Sequence, residues 1–246
     1  MEMEDFPVQA PTFLAELDVV SGDRLDIAGE EARHILKSRR MQAGQEIFLT
    51  NGRGILVRGE ITSCDNKRDA VQVEVRQLRE EALTLPQITL ACAVPKGDRQ
   101  STILGMTTQL GVDRIIPLDC DYSTSRFSEG QFRRWKKLID EAGKQSRRSR
   151  FPELCAPVSV AEALDMVGDS VLCLIGDPAG DTLAGLSGIR DANEIMLLVG
   201  PEGGFSRQEI LRLEQKNILK LRLGNHILRT ETAAVAMVSL LAQLKR

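Results

Sequence analysis

Several things that equip other proteins are scarce in this chain of 246 residues. Cysteine is one: Cys64, Cys92, Cys120, Cys155 and Cys173 are isolated, odd in number and without paired spacing. That argues against a disulfide framework or a structural zinc site and suits a reducing cytoplasm. Histidine is another, with only His34 and His226, and no acidic cluster has metal-ligand spacing, so no metal is expected. Long apolar runs are missing too. Without an h-region near the start, neither an export signal nor a membrane association is expected. Finally there is no excess of positive charge: 32 Lys and Arg stand against 35 Asp and Glu. As a sum this weighs against nucleic acid, whose phosphates reward a basic surface, so any such contact must rest on local clusters of cations.

What is present centres on Ile195 to Glu209, IMLLVGPEGGFSRQE. Five consecutive apolar residues, Ile195 to Val199, suit a strand buried on both faces, as in the middle of a parallel sheet. Gly200, Pro201, Gly203 and Gly204 then form a turn whose backbone a ligand can approach. Ser206 and Glu209 make a capping box, so a helix follows at once. Open α/β sheets bind small ligands at such strand-to-helix turns, outside the carboxyl ends of the strands. The plain alternative is a tight connection with no ligand, since short glycine motifs often occur without one. A second stretch, LRLGNHILRTETAA from Leu221, is expected to hold a short strand ended by Gly224, then an irregular segment. The run AAVAMVSLLAQL after it predicts a helix buried all round, inside the domain or against another subunit.

Taken in order, Met1 to Gln9 is acidic and featureless, a loose end. Glu30 to Arg40 predicts a short helix with a basic last turn. EIFLTNG, GILVRGEITS and AVQVEVRQL then alternate as strands, with Asn51-Gly52 as the turn between the first two. Pro86 lies in a linker, which separates a small β domain at 1–80 from an α/β domain at 81–246. There, Ile88 to Val94, a helix ending at Gly111, and Arg114 to Leu118 form a strand, helix, strand unit. Gln131 to Gln145 is an amphipathic helix, with Phe132, Trp135, Leu138, Ile139 and Ala142 on its apolar face. Trp135 is better placed as core than as a stacking platform. Strands at Glu153 to Val158 and Val171 to Ile175 frame a further turn, GDPAGD.

GPEGGFS followed by LGNHILRTETAA closely resembles the C-terminal motifs of the RsmE family, the SPOUT-class 16S ribosomal RNA (uracil-N3)-methyltransferases. The likeness runs through most of the chain, including His34, Arg40, Met41, Gly44, Asn51 and Gly52 in the β domain. It implies an N-terminal PUA-like β-barrel and a C-terminal α/β domain with a trefoil knot. It further implies S-adenosyl-L-methionine as cofactor, the small ribosomal subunit as partner, a homodimer, and a cytoplasmic place of work. Gly200, Glu202, Gly203, Leu223, Gly224, Ile227, Leu228 and Thr232 would meet the cofactor. Lys37, Arg39, Arg40, Lys96, Arg99, Arg147 and Arg148 would face RNA. Each is equally open to a solvated helix end or an ordinary loop charge.

Methyl transfer from a sulfonium is a positioning problem. At uridine N3 a proton must leave, and a cation near the pyrimidine carbonyls would stabilise the resulting charge. Arg229 is the candidate. Glu231 would take the proton, or instead hold Arg229 or cap the last helix. Because N3 lies on the pairing edge, the base must be unpaired or extruded. Met106, Gln109, Tyr122, Lys144 and Asn225-His226 depart from the family pattern, which puts the RNA surface in more doubt than the cofactor pocket. Two alternatives stay open: another RNA position methylated on the same fold, or a non-catalytic RNA-binding protein of ribosome assembly.

Overall fold

The computed structural model describes residues 10–17, 20–123 and 127–246, so the loose end expected at Met1 to Gln9 lies outside the described residues. Two compact units share the chain: Met1–Ala82 with Gly143–Phe151, and Leu83–Ala142 with Pro152–Arg246. Residues 143–151 thus group with the first unit although they lie within 81–246. Backbone pairing explains it: Gly54 N donates to Ser149 O at 2.8 Å and Phe151 N to Gly52 O at 2.8 Å. The Arg150 guanidinium donates to Glu81 O at 3.0 and 2.8 Å.

The first unit is a five-stranded sheet in the order β1 (Thr12–Leu14), β3 (Glu46–Thr50), β4 (Ile55–Asp65), β5 (Ala70–Glu80), β2 (Arg24–Ala28). Only the β1–β3 pair is parallel. Alternation decides its faces: Val71, Val73 and Val75 are all buried, together with Ile47, Leu49, Val57 and Ile61, while the residues between them reach outward. Asn51 and Gly52 connect β3 to β4, with Gly52 at φ +68°. The predicted helix at Glu30 to Arg40 is α1 (Gly29–Arg33), continued by one π-helical turn, His34–Ser38. That turn carries Ile35 and Leu36 into the core.

The second unit holds six parallel strands in the order β11 (Leu219–Leu221), β9 (Leu172–Asp181), β10 (Glu194–Val199), β6 (Gln87–Ala93), β7 (Arg114–Leu118), β8 (Glu153–Leu154). β10 is central, as its apolar run requires, and five of its six residues are buried. Met196 and Leu198 join Val160, Ala163 and Leu164 of α4 (Val160–Asp165) and Leu213 of α5 (Arg207–Gln215). The opposite face is covered by α6 (Thr230–Ala242), which packs on β6, β10 and α2 (Arg99–Gln109). The amphipathic helix α3 is Glu129–Gln145, with Trp135, Ile139 and Ala142 buried.

Two expectations change. GDPAGD is the end of β9, not a turn, because β11 pairs with it as far as Asp181 across an irregular register. The strand expected at Glu153 to Val158 is only two residues long, with a separate bridge from Val158 to Leu118. Within its own chain α6 buries Ala234, Met237, Val238 and Leu241, while Val235, Ala236 and Leu240 are half-buried. Among the described residues no helix is long and apolar enough to cross a membrane.

Candidate active site

The chain leaves β6 toward β7 on one side of the sheet and leaves β10 toward β11 on the other. Connections that part in this way leave room for a ligand at the carboxyl ends of the strands. A cavity of about 450 Å³ lies at the carboxyl ends of β9 and β10, lined also by Gly200, Pro201, Glu202, Phe205, Leu228 and Met237, among others. Gly204 needs the left-handed conformation it adopts, φ +75°, which favours glycine. At Gly200 a Cβ would stand 3.0 Å from the Phe205 ring, so a larger residue there would have to push that ring aside.

Side chains hold this turn in place. Ser206 Oγ accepts from Glu209 N at 3.3 Å while Ser206 N donates to Glu209 Oε2 at 2.7 Å, which completes the capping box. Glu209 Oε1 also accepts from Asp121 N at 3.0 Å, and the Ser206 hydroxyl donates to the Asp121 carboxylate. The loop after β7 is thereby tied to the start of α5, and Tyr122 comes to lie against Gly203. From the other side, Thr230 Oγ1 donates to Gly200 O at 3.2 Å. This bond brings the first residue of α6 to the end of β10.

A smaller cavity of about 170 Å³ adjoins, lined by Gly176, Asp177, Leu223, Gly224, His226 and Leu228, among others. Of the eight positions assigned to a cofactor, Gly200, Glu202, Ile227 and Leu228 line the larger cavity and Leu223 and Gly224 the smaller. Gly203 and Thr232 line neither. The sequence reading named no residue of GDPAGD among the cofactor positions. Gly176 and Asp177 line both cavities, and Asp177 pairs with Lys220 at 3.1 Å. Asp177 is held below the usual carboxylate range, first by the Ala179 amide and then by Lys220. Thr230 went unnoticed as well; its only signal was its place at the start of the apolar helix.

The charged residues sort differently. Arg99 Nη1 donates to Glu202 Oε1 at 2.6 Å and stands 3.8 Å from Glu231 Oε2, a buried oxygen with no hydrogen bond among the described residues. Arg99 thus joins Glu202 of the cavity lining, and the cation beside Glu231 is Arg99. Arg229 is exposed at the N-cap of α6, and its guanidinium has no ion-pair partner among the described residues. Burial pushes the Cys92 thiol up beneath this cluster, with Cys120, Glu231 and Glu202 adding to the shift.

In the first unit Lys37 binds Asp69 at 2.8 Å and Arg147 lies over the Phe48 ring at 5.4 Å. Arg39 and Arg40 are exposed, as is Lys96 in the second unit, and Arg148 is half-buried. Lys144, one of the departures, is buried and paired with Glu31 at 2.8 Å within the first unit.

A parallel sheet with a glycine-walled cavity at the carboxyl ends of its strands, in a chain that also holds a small β unit, is the layout of a small-ligand-binding α/β enzyme. The chain matches the RNA methyltransferase domain over residues 82–242 and the RNA methyltransferase PUA domain over 27–74. It belongs to this RNA methyltransferase family. Among its relatives is ribosomal RNA small subunit methyltransferase E of Bacillus subtilis, 28% identical over 238 residues, 92% of each chain. The same enzyme from Neisseria gonorrhoeae, solved bound to S-adenosyl methionine, superposes with a TM-score of 0.87 at 26% identity, covering 96% of this chain and 98% of that one. A methyltransferase from Legionella pneumophila, solved with its cofactor SAM, gives 0.85 at 28% identity over 96% and 98% of the two chains.

Proposed function

We propose that the chain is an S-adenosylmethionine-dependent methyltransferase that methylates N3 of a uridine in 16S ribosomal RNA of the small subunit, working as a homodimer in the cytoplasm. The observation that carries this is the cavity at the ends of β9 and β10 beside the Arg99, Glu202, Glu231 cluster. Its volume of about 450 Å³ falls within the roughly 300–1,000 Å³ usual for cofactor sites. Its lining is mostly apolar with a few polar groups, as such sites are, so the residues present fit the cofactor.

When bound, the cofactor supplies a methyl group already activated on sulfur. What the chain must do is position and stabilise. Backbone at Gly200, Leu223, Ile227 and Leu228 would hold the nucleoside part, and Gly224 lets that wall come close. Arg229, exposed and without an ion-pair partner among the described residues, is free to meet the pyrimidine carbonyls as N3 loses its proton. Glu231, whose buried Oε2 accepts no hydrogen bond among the described residues, would take that proton, and Arg99, 3.8 Å away, would help aim it. Arg39, Arg40 and Lys96, all exposed, suit contact with the RNA backbone. A homodimer is supported by the half-buried apolar side of α6 and by Ile227, which is 94% exposed. The chain path from edge strand β11 back to the end of central β10 supports a trefoil knot.

The test is transfer of labelled methyl from S-adenosylmethionine to small ribosomal subunits purified from cells lacking this protein, with mass spectrometry of the nucleosides. A single 3-methyluridine is expected. Binding of the cofactor with no incorporation would overturn the activity. Light scattering that gives a monomer would remove the dimer.

A further inference from the structure

Two consecutive residues of α2 serve two different places. Arg99 turns its guanidinium to Glu202 and Glu231. Gln100 instead lines a separate cleft of about 80 Å³ beyond the end of β6, together with Gly97, Ser101, Gln131, Arg134 and Trp135. Gln100 is only 3% exposed, and its carboxamide oxygen is buried with no hydrogen-bond partner among the described residues. Buried polar groups are seldom left unpaired, because water's hydrogen bonds have been given up for nothing. A donor entering the cleft would repair that loss.

The start of α2 points the same way. Asp98 stands at the N-cap but its side chain caps no amide, and its carboxylate faces Arg134 at 3.3 Å instead. The first amides of an 11-residue helix therefore lack a side-chain cap beside the cleft. Trp135, 4% exposed, adds a flat apolar wall, and Arg134 stands exposed at the rim.

A phosphate does not suit this place, since a buried carbonyl oxygen and the Asp98 carboxylate would both repel it. The edge of a nucleobase does, because it offers a donor and an acceptor side by side, the pair that a glutamine carboxamide meets. Size narrows the choice. A cavity of about 150 Å³ takes a whole benzene ring, so about 80 Å³ takes the leading edge of one ring and not a purine. We propose that this cleft binds a pyrimidine of the RNA strand, unstacked next to the methylated nucleotide, with Gln100 as the residue that reads it. The proposal rests on the methyltransferase function above and adds a second base-recognition site to it.

Trp135 is the chain's only tryptophan, so its fluorescence reports on this cleft alone. The full-length protein is titrated with oligo(U), oligo(C) and oligo(A) RNA, while anisotropy of the labelled strand follows binding itself. Pyrimidine strands quench Trp135, and oligo(A) binds without quenching. In Gln100→Leu the pyrimidine midpoint weakens about ten-fold, within the range for one bidentate base contact, while cofactor affinity and melting temperature hold. Equal quenching by oligo(A), no quenching by any strand, or a Gln100→Leu midpoint within about two-fold of wild type would overturn the proposal. Should Gln100→Leu fail to fold, Arg134→Ala at the exposed rim gives the same reading, with an expected loss of about three-fold for one exposed cation contact; an unchanged midpoint there overturns it. Methyl transfer without quenching would leave the enzyme function standing and remove the cleft. Quenching without transfer would do the reverse.

Discussion

The walls of the cavity and the cations around the molecule teach different things about what a sequence can say. The walls, Gly200 to Gly204 and Leu223 to Leu228, are mostly backbone at the ends of buried strands, and six of the eight positions assigned there line one cavity or the other. The cations are long side chains on helix ends and loops. Folding redistributed them: Lys37 to Asp69, Arg99 to Glu202 and Glu231, Arg147 onto Phe48. Backbone at the end of a packed strand has one place to be, whereas a flexible side chain chooses among whatever partners come within reach.

The sharpest test of this contrast is Arg99, which was assigned to an RNA-facing surface and stands with two carboxylates. Arg99→Ala and Glu231→Gln are each expected to lower the transfer rate by about 10²–10³-fold, roughly 3–4 kcal/mol in the barrier, as for loss of one preorganised electrostatic group. Calorimetry should find cofactor affinity unchanged. A loss of less than about three-fold would mean that the cluster only braces the loop.

Next in size is the buried pair of the first unit. Lys144→Met leaves Glu31 without this cation and should cost about 2–4 kcal/mol in urea unfolding, since breaking one half of a buried pair strands the other charge. Arg39→Met, on an exposed side chain, should stay within about 0.5 kcal/mol. Equal effects would show that burial does not separate the two groups of cations.

A smaller difference is expected at Arg147. Loss of its contact with the Phe48 ring in Arg147→Ala should cost about 0.5–1 kcal/mol of stability. A phosphate contact would instead remove nearly one unit from the salt dependence of RNA binding. Measuring both on one variant decides between the two roles.

The smallest effect is chemical. Burial pushes the Cys120 thiol up to about 12 and raises Cys92 as well. Only the thiolate reacts, so at pH 8 both stay protonated and resist alkylation until the chain unfolds. Rapid labelling of either in the native protein would contradict their burial.

Much of the fold was legible because it depends on local patterns. The run Ile195 to Val199 could only be a strand buried on both faces, and Ser206 with Glu209 announced the helix after it. Alternation at Val71, Val73 and Val75 showed which face of the small sheet is core. Errors arose where a neighbour decided the outcome. GDPAGD has turn-forming residues but is held extended by β11, and the strand expected at 153–158 shortens to two residues and one separate bridge. Gln100 gave no signal at all, because a polar residue at a helix start is ordinary until its oxygen proves to be buried and unpaired.

By itself, then, the sequence determined the central strand β10, the glycine turn and the capped helix, since hydrophobic period and backbone sterics act over a few residues. The tertiary structure alone decided that residues 143–151 group with the first unit, that Arg99 rather than Arg229 stands beside Glu231, and that Thr230 closes on Gly200. Those are pairings between groups 30 to 132 positions apart in the chain. They form only when packing brings their elements within the few ångströms over which hydrogen bonds and ion pairs act.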